Sequence, residues 1–294
     1  MTLGTGLSLA EAVREATAIL HDAGVPSPRV DAELLADHLL GVGLGRLRAM
    51  LLADSSPEPD GYAELVAERA QRVPLQHITG VAHFRYLQLA VGPGVFIPRP
   101  ETESVVQLVI DRLKDPAQGT RRAKVVDLGT GSGAIAGSIA LEVPGADVYA
   151  VEFSEFAHAW AERNLRPLGV TLLRGDLRDA LPELNGTFDV VVSNPPYIPA
   201  EAIPNEPEVA LHDPPEALYG GGADGMELPT AAAASAARLL VSGGYFVMEH
   251  AEVQATWIAA MLKTSGLWSD VKTHLDLNGK ERATSAVLAA PSDR

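Results

Sequence analysis

Short runs of residues carry types and spacings suited to chemistry. Val125-Val126-Asp127-Leu128 is an apolar strand pattern running into Gly129-Thr130-Gly131-Ser132-Gly133 and then into a helix that begins near Ala134. Glycines at such a turn let the backbone bend tightly and approach a ligand with no side chain in the way, as a nucleotide-type cofactor requires. The sixth position of the dinucleotide fingerprint is Ala134, a residue that fingerprint also allows, so the loop alone leaves open which cofactor binds. The next strand pattern ends Tyr149-Ala150-Val151-Glu152-Phe153. It places a carboxylate roughly 20 residues beyond the glycines, where it suits the two hydroxyls of a ribose. After the third strand pattern, Gly175-Asp176-Leu177 offers one polar and one apolar group for an adenine ring.

A different chemistry is expected at Asn194-Pro195-Pro196-Tyr197, which follows the strand pattern Phe188 to Ser193. Consecutive prolines fix φ and remove two backbone donors, leaving a stiff segment that presents acceptors: the Asn194 side-chain oxygen and the Pro195 carbonyl. Two acceptors suit an NH₂ group. The lone pair of an amide or exocyclic amine is delocalised, and holding both N–H bonds on fixed acceptors aims it at an electrophile. Tyr197 adds a flat wall against a planar group.

The elements that must position these runs follow from the pattern of the whole chain. At 294 residues it exceeds what one core usually supports, so a large domain and a smaller one are expected. Residues 1–75 read as short helices, with Ser8 as an N-cap and Leu9, Ala12, Val13, Ala16, Ile19 and Leu20 at helical spacing. Further helical patterns run from Pro28 to Leu40 and from Asp60 to Arg72. Residues 76–100 read as a β-hairpin linker, with Phe84 to Val91 and Val95 to Ile97 on either side of Gly92-Pro93-Gly94. Residues 101–294 alternate helix and strand patterns, with strands at Lys124–Leu128, Asp147–Val151, Val170–Leu173, Asp189–Val192 and Tyr245–Glu249. That alternation predicts an α/β fold with a mainly parallel sheet covered on both faces. Val271 to Leu277 and Thr284 to Leu288, joined through Asn278-Gly279, predict a closing antiparallel hairpin.

Composition removes several functions. The 23 Lys+Arg against 38 Asp+Glu leave a net charge of −15, the wrong sign for a protein that tracks along phosphates. With Cys 0 there are no disulfides, thiolate metal sites or cysteine nucleophiles. No segment approaches the roughly 18 apolar residues of a membrane span, and the start Met1-Thr2-Leu3-Gly4 carries no basic run leading into an apolar one. A cytoplasmic protein without a membrane anchor or a metal is expected.

The Gly129 loop, Glu152 and Asn194 to Tyr197 together resemble a class I S-adenosylmethionine-dependent methyltransferase of the group that methylates planar nitrogens. Arg72-Val73-Pro74-Leu75-Gln76-His77-Ile78-Thr79-Gly80, Gly94-Val95-Phe96-Ile97-Pro98-Arg99-Pro100-Glu101-Thr102-Glu103 and the later Gly220-Gly221-Gly222-Ala223-Asp224-Gly225 narrow the resemblance to the HemK/PrmC family, the release factor glutamine methyltransferases. The likeness spans nearly the whole chain. It implies a Rossmann-like, mainly parallel seven-stranded sheet and a helical-bundle domain that recognises the substrate. The activity it implies is methylation of the side-chain amide nitrogen (N5) of the glutamine in the Gly-Gly-Gln motif of class 1 peptide chain release factors, modulating translation termination.

The same resemblance assigns S-adenosyl-L-methionine, with S-adenosyl-L-homocysteine as product, to Gly129, Thr130, Gly131, Ser132, Gly133, Glu152, Phe153, Asp176, Leu177 and Asn194. It assigns the glutamine to Asn194, Pro195, Pro196 and Tyr197, with Phe96 beside the transferred methyl group. The protein is expected to act as a monomer on a protein partner, with no direct nucleic-acid contact. His77, where Tyr is commoner, and His212-Asp213-Pro214, in place of a Glu-Pro pairing, depart from the family pattern. An exocyclic amine of a nucleic acid, or a ribosomal-protein glutamine, is the alternative acceptor.

Overall fold

The computed structural model describes residues 3–4, 6–53, 56–115 and 122–290. The chain divides into two compact units: Met1–Val81 with Pro204–His212, and Ala82–Ile203 with Asp213–Arg294.

The first unit is helical. α1 (Leu9–Asp22) opens on a capping box: the Ser8 hydroxyl accepts from the Glu11 N–H, and the Glu11 carboxylate accepts from the Ser8 N–H. The six apolar residues expected on one face, Leu9 to Leu20, are all buried. α2 (Pro28–Leu40) has proline at its first turn and ends at Gly41 in the left-handed region. α3 (Leu44–Ala53) was not legible in the sequence: it follows Gly43, which offers no side chain as a cap signal, and it buries only Leu47. α4 (Tyr62–Ala70) and α5 (Leu75–Thr79) complete this part of the unit.

Helix α5 corrects the start of the β-hairpin linker expected over residues 76–100; five residues between Pro74 and Gly80 suffice for one helical turn. The unit's core is built from Leu9, Leu20, Leu35, Leu47, Tyr62 and Val66. Beside it lies a buried cation. Arg69, 5% exposed, donates to Asp31 at 2.7 Å and to Glu208 at 2.8 Å, and Arg72 adds bonds of 2.8 and 2.5 Å to Glu208. A guanidinium out of water is costly unless paired, so these carboxylates are what permit Arg69 to sit there.

In the second unit β1 (Val81–Phe84) and β2 (Leu87–Ala90) form a two-stranded hairpin that turns at Arg85-Tyr86. A turn does form at Gly92-Pro93-Gly94, with Val95 N–H donating to the Gly92 carbonyl at 3.4 Å, but it joins no strand pair, and Val95-Phe96-Ile97 is a loop. The Arg85-Tyr86 turn is held by charge. Arg85, at φ 49°, donates from its backbone N–H to the Glu103 carboxylate at 3.1 Å, and its guanidinium donates to Glu142 at 2.6 and 2.7 Å. Gly92 lies against the Trp160 indole with no room for a Cβ, and the Trp160 N–H donates to the Pro93 carbonyl at 3.3 Å.

The remainder is a seven-stranded sheet. Its strands are β3 (Lys124–Leu128), β4 (Asp147–Glu152), β5 (Thr171–Arg174), β6 (Phe188–Ser193), β7 (Leu240–Glu249), β8 (Trp268–Leu275) and β9 (Glu281–Leu288), in the spatial order β5-β4-β3-β6-β7-β9-β8. β3 to β7 pair in parallel, whereas β9 runs antiparallel to both β7 and β8. β7 begins at Leu240, ahead of the expected Tyr245, because Leu240 pairs with Phe188 across an irregularity in the ladder.

Strand alternation divides the core. Val125, Val148, Ala150, Val190 and Val192 face α6 (Thr102–Lys114), α7 (Ala134–Glu142) and α8 (Glu155–Leu165). Val126, Leu128, Val151 and Val191 face α11 (Glu227–Leu239) and α12 (Ala255–Thr264). The short helices α9 (Pro207–His212) and α10 (Pro215–Leu218) lie between β6 and α11 in sequence. The carboxyl ends of β3, β4, β5 and β6 thus share one sheet edge, where ligands of open α/β sheets bind.

Candidate active site

The glycine loop leaves β3 and is fastened to β4. Gly129 and Thr130 N–H both donate to the Val151 carbonyl at 2.9 Å. Asp127, fully buried at the end of β3, accepts from the Thr130 hydroxyl at 2.6 Å and from the Ala136 N–H at 3.2 Å. Burial pushes its carboxyl up to about 7 against those hydrogen bonds, and Oδ1 has no partner among the described residues. Gly133, at φ 87°, cannot be replaced: a Cβ there would lie 2.7 Å from Leu165 Cγ. Around the Gly131 Cβ position, by contrast, nothing among the described residues lies within 4 Å apart from its chain neighbours, so this side of the loop is open.

Glu152 ties the second strand to this loop. Its Oε2 accepts from the Gly131 N–H at 2.7 Å and its Oε1 from the Ser154 N–H at 2.8 Å. Burial raises its carboxyl above the usual carboxylate range despite these bonds. Phe153 is 61% exposed and lines a cavity of about 420 Å³ with Phe156, Arg174, Gly175, Asp176 and Glu216. Asp176 is occupied by its neighbour Arg178, which donates from its backbone N–H at 2.9 Å and from its guanidinium at 3.0 and 2.5 Å. Those bonds hold the carboxyl below its ordinary range. Leu177 turns inward onto the Val151 side of the core, about 4.0 Å from the Gly129 Cβ position.

At the end of β6 the Ser193 hydroxyl donates to the Leu128 carbonyl at 2.6 Å, binding the two strand ends together. Asn194 Nδ2 then lies 3.5 Å from the Thr102 hydroxyl on α6. The segment behind it is a clamp. Gln254 donates to the carbonyls of Tyr197 at 2.8 Å and Asp224 at 3.1 Å, Ile198 N–H donates to Leu218, and Gly220 N–H donates to Ile198. A Cβ on Gly220 would fall 2.6 Å from the Pro196 carbonyl oxygen, and one on Gly225, at φ 75°, would fall 2.3 Å from the Tyr197 oxygen. Burial raises the Tyr197 phenol, with the Glu249 carboxylate adding to the effect. Phe96 is covered by the Arg99 guanidinium 5.1 Å from its ring centroid, and Arg99 donates to Asp213 at 2.9 Å.

The expected residues thus fall into groups. Gly129 to Gly133 and Glu152 are joined by direct bonds, Phe153 and Asp176 line the cavity beside them, and Asn194 to Tyr197 occupy the next strand end. Thr102, Gln254, Gly220 and Gly225 were missed as a set. Thr102 and both glycines stood inside runs already singled out, whereas Gln254 gave no sequence signal. Glu249, at the carboxyl end of β7, was also missed, although the position that drew attention to Glu152 is the same. His250 is buried between the Ala251 carbonyl and the Thr284 hydroxyl, a structural place. No cluster of metal-ligating side chains occurs among the described residues, and no helix among them is long and apolar enough to cross a membrane.

Residues 11–80 match the model of the PrmC N-terminal domain, and residues 87–223 match the methyltransferase small domain. The chain is 49% identical over 286 residues to the release factor glutamine methyltransferase of Streptomyces coelicolor, covering 97% of this chain and 99% of that one. It is 46% identical over 287 residues to the protein of the same name from Mycolicibacterium smegmatis, with 97% and 99% covered. It is also 40% identical over 274 residues to a 4-amino-L-phenylalanine/4-methylamino-L-phenylalanine methyltransferase of Streptomyces pristinaespiralis, covering 92% of each.

Proposed function

The chain belongs to the release factor glutamine methyltransferase family, and from that premise we propose that it methylates the side-chain amide nitrogen of the glutamine in the Gly-Gly-Gln motif of class 1 release factors. Its larger unit has the class I methyltransferase fold, a Rossmann-like sheet closed by antiparallel strands. S-adenosylmethionine supplies an electrophilic methyl group when bound. The residues that would hold it are Gly129 to Gly133, Glu152, Phe153, Asp176, Leu177 and Asn194. They suit it: the space over Gly131 admits close approach of a ligand, and the half-exposed cavity behind Phe153 offers apolar walls beside a carboxylate.

The observation that carries the reading is the fixed Asn194-Pro195-Pro196-Tyr197 segment at the strand end next to that loop. Asn194 Oδ1 and the Pro195 carbonyl accept the two N–H bonds of the glutamine amide, Tyr197 walls its plane, and Phe96 bounds the same space. Orientation is the main device, and holding both reactants in attack geometry is worth on the order of 7 kcal/mol or more. No strong base is needed beforehand, because the alkylated amide nitrogen becomes acidic enough to release its proton to water. The helical unit, which matches the PrmC N-terminal domain over residues 11–80, is assigned to recognition of the release factor.

The test incubates the protein with isotope-labelled S-adenosylmethionine and a class 1 release factor, beside the same factor carrying Ala for the Gly-Gly-Gln glutamine. Label on the first alone is expected. Label on both moves the methylated atom elsewhere, and label on neither removes the reading. A free aromatic amine is the second acceptor class, because two fixed acceptors suit any planar NH₂ and the relative from Streptomyces pristinaespiralis is named for one. 4-Amino-L-phenylalanine in a parallel reaction decides it.

A further inference from the structure

Glu249 ends β7, is 3% exposed, and pairs across the antiparallel ladder with Ala283. The Thr102 hydroxyl from α6 and the Asn194 side-chain amide from the end of β6 neighbour its carboxyl as hydrogen-bonding groups and draw it toward the ionised form, while its Oε2 has no partner among the described residues. The charges that face it are Arg282 on β9 and Glu101 ahead of α6, and the buried Tyr197 phenol lies close by with Arg99 beyond. Asn194 Nδ2 itself lies 3.5 Å from Thr102 Oγ1.

A side-chain amide offers an oxygen acceptor on one side and an NH₂ donor on the other, and nothing in its own shape selects which way it turns. For an NH₂ substrate only one orientation works, since the reversed one sets donors against donors. An ionised carboxylate accepts and cannot donate. Beside Glu249 the Asn194 amide therefore keeps its NH₂ toward Glu249 and Thr102 and its Oδ1 away from them. We propose that Glu249 is a positioning residue for methyl transfer, a buried carboxylate that locks the Asn194 amide with its oxygen presented to the acceptor NH₂.

This rests on the methyl-transfer reading above. A protonated Glu249 has an O–H to donate and satisfies Asn194 in either orientation, so protonation releases the lock. Burial pushes the carboxyl up to about 7, with Thr102, Arg282 and Asn194 drawing it down and Glu101 raising it. The lock is thus engaged on the alkaline side of about pH 7.

Steady-state methylation of a class 1 release factor by the full-length protein, from about pH 6 to about pH 9, tests this. Wild-type kcat is expected to rise through about pH 7. Glu249→Gln has the same shape but no charge and can turn either end toward Asn194. It should lower kcat at alkaline pH by about tenfold, equivalent to about 1.4 kcal/mol, and flatten the limb. KM and calorimetric cofactor affinity should each change by less than kcat does, because Asn194 shares the binding of both ligands with other residues whereas the aim of the amide nitrogen in the transition state depends on its orientation. Glu249→Asp should recover part of kcat and restore a limb displaced toward acid. Wild-type kcat with an unmoved limb in Glu249→Gln overturns the proposal. If that variant does not fold, an unmoved limb in Glu249→Asp overturns it equally. Absence of methylation by the wild-type protein at every pH would instead sink the methyl-transfer reading.

Discussion

Asn194 and Glu152 are single side chains with two sets of partners to serve, and their substitutions should separate two steps. Asn194→Ala removes the side-chain acceptor together with the amide's contacts to Thr102 and Glu249; turnover should fall to a small fraction of wild type while thermal denaturation still shows a cooperatively folded protein. Near wild-type turnover would remove the residue from the mechanism. Glu152→Ala should weaken cofactor binding by about 1.5–3 kcal/mol, the worth of hydrogen bonds to a charged group, and calorimetry reads it. The structure adds a reason beyond the ribose expected from the sequence, because the same carboxylate holds the Gly131 N–H. Glu152 was legible since it follows its glycines by a familiar interval. Glu249 was not, because its meaning lies in Asn194 and Thr102, which are remote in sequence and meet only when β6, β7 and α6 assemble.

Elements position these groups through backbone contacts that a sequence records only as glycine. Gly220 and Gly225 are where the chain after α10 passes against Pro196 and Tyr197, and a methyl group at either would push on a carbonyl. Gly225→Ala should cost about 1–3 kcal/mol in chemical denaturation, the usual penalty of overpacking, and should reduce methyl transfer more than cofactor affinity. Full activity at wild-type stability would show that the clamp yields. The β strands of the sheet were readable from their alternation and length, as were α1 and α2 from cap and spacing. The first hairpin was misplaced because Gly92-Pro93-Gly94 has turn composition, while the real turn at Arg85 depends on Glu103 and Glu142 from distant helices.

At the scale of the molecule, the division into units does not follow the chain. The excursion Pro204–His212 belongs with the helices of residues 1–81, a placement no local pattern announces, since it depends on Glu208 meeting Arg69 and Arg72. Burial raises the Glu208 carboxyl, but the bonds from the two arginines outweigh this and bring it down to about 2. A carboxyl lowered on folding contributes stability that is present above its unfolded value near 4.5 and lost as the pH falls toward about 2. Glu208→Ala should therefore make residues 204–212 susceptible to limited proteolysis at neutral pH. In the wild type, cleavage there should increase only well below about pH 4.5. Equal cleavage of variant and wild type would show that the ion pairs do not hold the segment.

The seating of the Trp160 indole on Gly92, with its N–H on the Pro93 carbonyl, gives the molecule an intrinsic fluorophore next to the loop that carries Phe96. Of the other two tryptophans, Trp268 is packed beside Phe246 and Trp257 stands half in solvent on α12. A displacement of residues 92–97 would thus change the surroundings of one indole and be read in its emission, with no label attached.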